Sequence, residues 1–83
     1  MAQAIITKIM NPTAARAQRV RVKATGWNDS LTITWRDDFG VYGNHRAAVE
    51  ELVKKLNAKM DAEFKIVAGG ELPDQRGYAF IIQ

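Results

Sequence analysis

A chain of 83 residues holding 12 Lys and Arg, 9 Asp and Glu and one His carries a formal charge of +3. That length allows one domain with a small core, and the absence of Cys excludes disulfides, thiolate metal sites and cysteine nucleophiles. A single imidazole excludes any site needing two, and no apolar run approaches the ~18 residues that a membrane crossing requires.

The hydrophobic fraction of 47% and charged fraction of 25% are those of a folded domain rather than a disordered one. The N-terminus lacks the basic and apolar regions of a secretion signal, so a cytoplasmic setting is expected. Charge is uneven along the chain. Up to Arg36 the bases are Lys8, Arg16, Arg19, Arg21, Lys23 and Arg36, opposed only by Asp29. From Asp37 onward acids outnumber bases, so the first half forms a basic block.

Ala4 to Met10 is rich in Ile and Thr and reads as a strand that Asn11-Pro12 ends. The stretch from Asn11 to Gln18 has two readings: a short helix capped by Asn11 with Pro12 in its first turn, or a loop bearing Arg16. The loop is preferred. Arg19 to Thr25 alternates strictly, with Val20, Val22 and Ala24 on one face and Arg19, Arg21 and Lys23 on the other. That pattern predicts a strand with one buried and one solvated side. Gly26 to Ser30 supplies turn chemistry, and Leu31 to Arg36 alternates again, turning Leu31, Ile33 and Trp35 inward. The two strands should form an antiparallel hairpin. Asp37 to Gly43 reads as a loop.

Asn44 to Met60 is the one long segment with a helical period: Ala48, Leu52, Leu56 and Met60 recur every fourth residue, widened by Val49 and Val53. Asn44 is the expected N-cap, and Glu50–Lys54 and Glu51–Lys55 are the expected ion pairs. Phe64, Ile66 and Ala68 alternate with Lys65 and Val67 and read as a fourth strand, and Gly69 to Gly77 reads as a long hairpin loop. Tyr78 to Gln83 is apolar on both faces, which predicts a strand inside the sheet rather than at its edge. The whole, residues 1–83, is one α+β domain of order βββαββ, an antiparallel or mixed sheet crossed on one face by a helix. Trp35, Leu52, Leu56, Phe64 and Phe80 are the expected core.

The strongest functional feature is the basic strand. Arg19, Arg21 and Lys23 recur every ~6.7 Å at the ~3.3 Å rise of a strand, with Arg16 upstream and Trp27 downstream. Cations in a row beside an exposed ring suit a phosphate backbone with base stacking. The competing reading makes them only the wet face of a strand, with Trp27 folded back over the core. In Asp37-Asp38-Phe39-Gly40 the last three residues match a kinase metal tripeptide by chance, since no kinase lobe fits this length. Those carboxylates, with Glu50 or Asp74, show no calcium-loop spacing, so no metal or other cofactor is expected. His45 stands beside Arg46 near the helix start with no relay partner, which favours a structural role. Gly69-Gly70 precedes no helix, so it marks a bend or bulge rather than a phosphate loop.

Short motifs run along most of the chain: Thr7-Lys8, Pro12-Thr13, Arg16, Arg19, Lys23-Ala24, Leu31-Thr32-Ile33, Asn44 to Ala48, Lys55-Leu56, Gly69-Gly70, Leu72-Pro73 and Gly77 to Phe80. Together they resemble a group of small proteins encoded by bacteriophages, prophages and related mobile elements. Members often carry Asn-Thr after Pro-Thr and Gly after the Arg, where this chain has Ala14-Ala15 and Ala17. The resemblance implies a viral or plasmid origin and action in a host cytoplasm; it implies no particular activity. Three functions are weighed on this basis. The first is a non-enzymatic accessory protein that binds nucleic acid through Arg16, Arg19, Arg21, Lys23 and Trp27. The second is a module, monomeric or homodimeric, that binds and modulates a host defence or replication protein through a sheet edge or the Gly69 to Gly77 loop. The third, an enzyme, has no nucleophile, metal or cofactor constellation behind it.

Overall fold

The computed structural model describes residues 3–11, 18–24, 26–27, 29–73 and 76–83. Five strands, β1 (Gln3–Met10), β2 (Arg19–Ala24), β3 (Ser30–Thr34), β4 (Ile66–Glu71) and β5 (Gly77–Ile82), form one sheet in the order β3-β2-β1-β5-β4. Every neighbouring pair is antiparallel, so the sheet is not mixed. A short 3-10 turn (Asp37–Phe39) leads into the single helix α1 (Gly40–Met60), giving the βββαββ order that the hydrophobic periods predict. The greasy C-terminal strand β5 does lie inside the sheet, between β1 and β4. No helix among the described residues is long and apolar enough to cross a membrane.

The helix lies on one face of the sheet, against β2 above all and also β1, β3 and β5. Its buried stripe is Ala48, Val49, Leu52, Val53 and Leu56, the i, i+3/i+4 positions of its sequence. These meet Ile5 from β1, Val20, Val22 and Ala24 from β2, and Phe80 and Ile82 from β5. Leu52, Leu56 and Phe80 are fully buried, as expected. Trp35 and Phe64 are instead half-buried and pack against the margin of this core. Met60, at the helix end, is 36% exposed and leaves the stripe there. The helix stops at Asp61, which takes a left-handed conformation (φ 51°) and sends its N–H back to Asn57 O.

Three local expectations are corrected. The helix starts four residues before Asn44, so Asn44 is no N-cap. It is buried inside the first turns, where its Nδ2 donates to Arg36 O (2.8 Å) and Gly40 O (2.7 Å) and its Oδ1 accepts the Arg36 N–H (2.8 Å). One amide thereby ties the β3–α1 connection to the helix and gives the Arg36 N–H its acceptor. Gly40 and Gly43 hid this turn from the sequence reading, because glycine weakens a helical signal. The surface pairs are also different: Arg46 Nε donates to Glu50 (3.2 Å) and Lys54 Nζ meets Glu51 (3.5 Å). All four side chains are exposed, so each pair contributes little.

The third correction concerns Gly69 and Gly70, which belong to β4 rather than to a loop. A Cβ on Gly69 would stand 2.7 Å from Cδ2 of Phe80, so only a glycine lets β4 lie flat under that ring. The irregularity falls earlier, in a bulge between Ile66 and Ala68. Of the Asn11 to Gln18 stretch, residues 12–17 lie outside the described residues.

Candidate nucleic-acid interface

The helix covers one face of the sheet, and strand alternation sends Arg19, Arg21 and Lys23 to the other. Val20 and Val22 are fully buried beneath the helix, whereas Arg21 and Lys23 are exposed and Arg19 is half-buried. The β1–β2 register sets Lys8 directly opposite Arg21, Ile6 opposite Lys23 and Met10 opposite Arg19. On the other side of β2, Thr34, Thr32 and Ser30 stand opposite Arg19, Arg21 and Lys23. A shallow cavity of about 380 Å³ is lined by Ile6, Lys8, Arg21 and Lys23.

No ion pair joins Lys8, Arg19, Arg21 or Lys23 to a carboxylate among the described residues. The acids lie elsewhere: Asp38 pairs with Arg36, Glu50 with Arg46, Glu51 with Lys54, and Asp29 with Lys59 (3.1 Å). Glu71 is on a strand, but its register row runs through Tyr78 to the buried Thr7, on the helix side. Like charges directly opposite across two strands repel, and Lys8 with Arg21 is such a pair. Arg19 adds a donor with no internal partner: its Nε is buried and unbonded. The open face is thus a cationic surface whose charges have no ion-pair partner among the described residues.

Of the five residues expected to bind nucleic acid, the structure brings Arg19, Arg21 and Lys23 together. Arg16 lies outside the described residues. Trp27 is elsewhere. Its ring packs on Phe64, with centroids 5.6 Å apart, and against the margin of the core, so it stands with the helix-side residues rather than as a free stacking ring beside the cations. Apolar burial outweighs exposure for so large a ring. Lys8 was missed by sequence reasoning. It is a lone base in a strand of blurred alternation, and only the register with β2 reveals it as the fourth cation.

The other candidate residues take structural or separate positions. Asp37 and Asp38 sit in the 3-10 turn, and no group of three His, Asp or Glu capable of holding a metal occurs among the described residues. Asp74 lies outside the described residues. His45 is only 2% exposed, with Nδ1 2.7 Å from Thr7 Oγ1. Thr7 is fully buried, its Oγ1 accepts the Tyr78 N–H (3.1 Å), and the pair is closed to any substrate. Trp35 stands edge-on to the imidazole and Tyr78 packs 4.7 Å from it.

Burial holds the His45 pKa below its ordinary value of 6.5. The unfolded chain then binds a proton more readily than the folded one. Stability should be complete above about pH 6.5 and fall as pH drops below it, toward the lowered folded value. Thermal melts between about pH 7.5 and 5 should show Tm falling with pH. His45→Gln should flatten that slope, and an unchanged slope would remove His45 as its cause.

No protein-family model, no curated protein and no solved structure matches this chain.

Proposed function

We propose that this protein is a non-enzymatic accessory factor that binds nucleic acid through the open face of its sheet. Lys8, Arg19, Arg21 and Lys23 take the phosphates, with the hydroxyls of Ser30, Thr32 and Thr34 beside them. The observation that carries this reading is the cross-strand pair of Lys8 and Arg21, which no carboxylate among the described residues compensates. A merely solvated strand face gains from mixed charges, whereas this one keeps repelling cations together. Given the resemblance to phage-encoded proteins, the setting we propose is a phage or mobile element acting in its host's cytoplasm.

The test is fluorescence anisotropy with short oligonucleotides across a salt series. Four phosphate contacts predict a log–log slope of about −2.8 on single strands and about −3.6 on duplex, through counterion release. Affinity should then fall ~50- to ~150-fold between about 50 and about 200 mM salt. Lys8→Gln or Arg21→Gln should each reduce the slope by ~0.7–0.9. Absence of binding at micromolar protein in about 50 mM salt would sink the reading.

A second reading, a module that binds a host protein, draws on the exposed Phe39, Val41 and Tyr42 at the start of the helix and Val67 on edge strand β4. Large apolar side chains left in solvent are what a packed anchor contact uses. That reading predicts salt-insensitive binding, with no affinity for oligonucleotides.

A further inference from the structure

The register rows of the open face continue past the cations. Lys23 leads to Ile6 on β1, then Ala79 on β5, then Gly70 on edge strand β4. In the parallel row, Ala4 leads to Ile81 and then to Ala68. Beyond β1 this part of the face is therefore aliphatic or lacks a side chain. Ile6 is 37% exposed, Ala79 and Ile81 are half-exposed, and Ala68 and Gly70 are exposed. The face is thus divided lengthwise, with cations and hydroxyls over β3, β2 and half of β1, and a flat uncharged strip over the rest.

We infer that the ligand is single-stranded nucleic acid, laid along β2 with its phosphates on the cations and its bases turned across Ile6, Ala79 and Ile81. This rests on the phosphate-binding reading above. Two facts of geometry favour one strand over two. Strands of a sheet lie ~4.8 Å apart, so β5 is roughly 10 Å and β4 roughly 14 Å from the cationic β2. A duplex whose first backbone followed β2 would present its second backbone across a groove ~6 or ~12 Å wide, over the strip that holds no cation. A single strand has no second backbone to neutralise. Its unpaired bases carry apolar faces, and the small side chains of Ala79, Ala68 and Gly70 leave room for them to lie flat. From Arg19 to Lys23 the cation row spans ~13 Å along β2.

The contact to bases would be aliphatic rather than aromatic, since Trp27 packs toward the core. It should therefore sit at the low end of base stacking, where removing one contact costs about fivefold in affinity. The probes are an oligothymidylate of about twelve nucleotides and a mixed-sequence duplex of the same length, compared at one salt concentration and then over a series. The single strand should bind at least ~10-fold tighter, with a slope near −2.8. Ile6→Thr and Ala79→Ser, both compatible with a strand, should each weaken single-strand binding by ~3- to ~5-fold and leave the slope unchanged. Circular dichroism and Tm would check that both variants remain folded. Equal or tighter binding of the duplex, with its slope intact, would overturn the single-strand inference while the phosphate reading stood. Unchanged affinity in both strip variants would remove the bases from the strip in the same way. No binding of either probe would fail both readings together.

Discussion

Leu52→Ala should shift the denaturant midpoint sharply downward. Leu52 is fully buried at the middle of the helix's inner stripe, packed in the cluster with Val20, Val22 and Phe80. Truncation removes the transfer free energy of its methyl groups and leaves a cavity that a close-packed core fills only in part, for a loss of ~2–5 kcal/mol. By the per-residue rule a domain of this size has ~4–12 kcal/mol in total, so at the lower end of that range the variant lies near the edge of folding at ambient temperature. Urea unfolding followed by Trp fluorescence reads the change, because Trp27 and Trp35 both lie against this core. With the slope in urea unchanged, the whole effect should appear in the midpoint. A midpoint equal to that of the parent chain would show that the helix does not bury this face.

Much of the architecture was legible because burial imposes a period. The helix announced itself through Ala48, Leu52 and Leu56, and β2 through Val20, Val22 and Ala24 alternating with Arg19, Arg21 and Lys23. What stayed hidden depended on long-range partners. The first turn of the helix is held by Asn44 reaching back to Arg36, a tertiary bond with no local pattern. Gly69 and Gly70 look like a bend until Phe80 is found lying on Gly69. The candidate site divides along the same line. Three of its cations share one strand and can be read from spacing; Lys8 joins them only through the β1–β2 register. Trp27 stood beside that strand in sequence, but Phe64, far along the chain, draws its ring to the core.

Gly77→Ala should lower stability as strongly as the cavity variant, by the opposite means. Gly77 is buried and stands opposite Lys8 where β5 pairs with the central strand β1. A Cβ there would fall on the carbonyl oxygen of Thr7, with Leu72 Cδ1 a further 3.4 Å contact. A flexible side chain could turn aside, but this neighbour is backbone within the β1–β5 pairing. The Thr7 side chain is fixed as well, by Tyr78 and His45. Relief therefore requires the two strands to part, and β1 is the strand joining β5 and β4 to the rest of the sheet. The cost should reach or exceed ~3 kcal/mol, the top of the usual overpacking range. For a domain of this length that is a fall in Tm of roughly 12–24 °C. Gly70→Ala is the matched control, since a Cβ at Gly70 meets nothing within 4 Å. It should be neutral, or stabilising by up to ~1 kcal/mol through the unfolded chain. If the two variants melted within a few degrees of each other, the close approach of β5 to Thr7 would not be the reason for glycine at position 77.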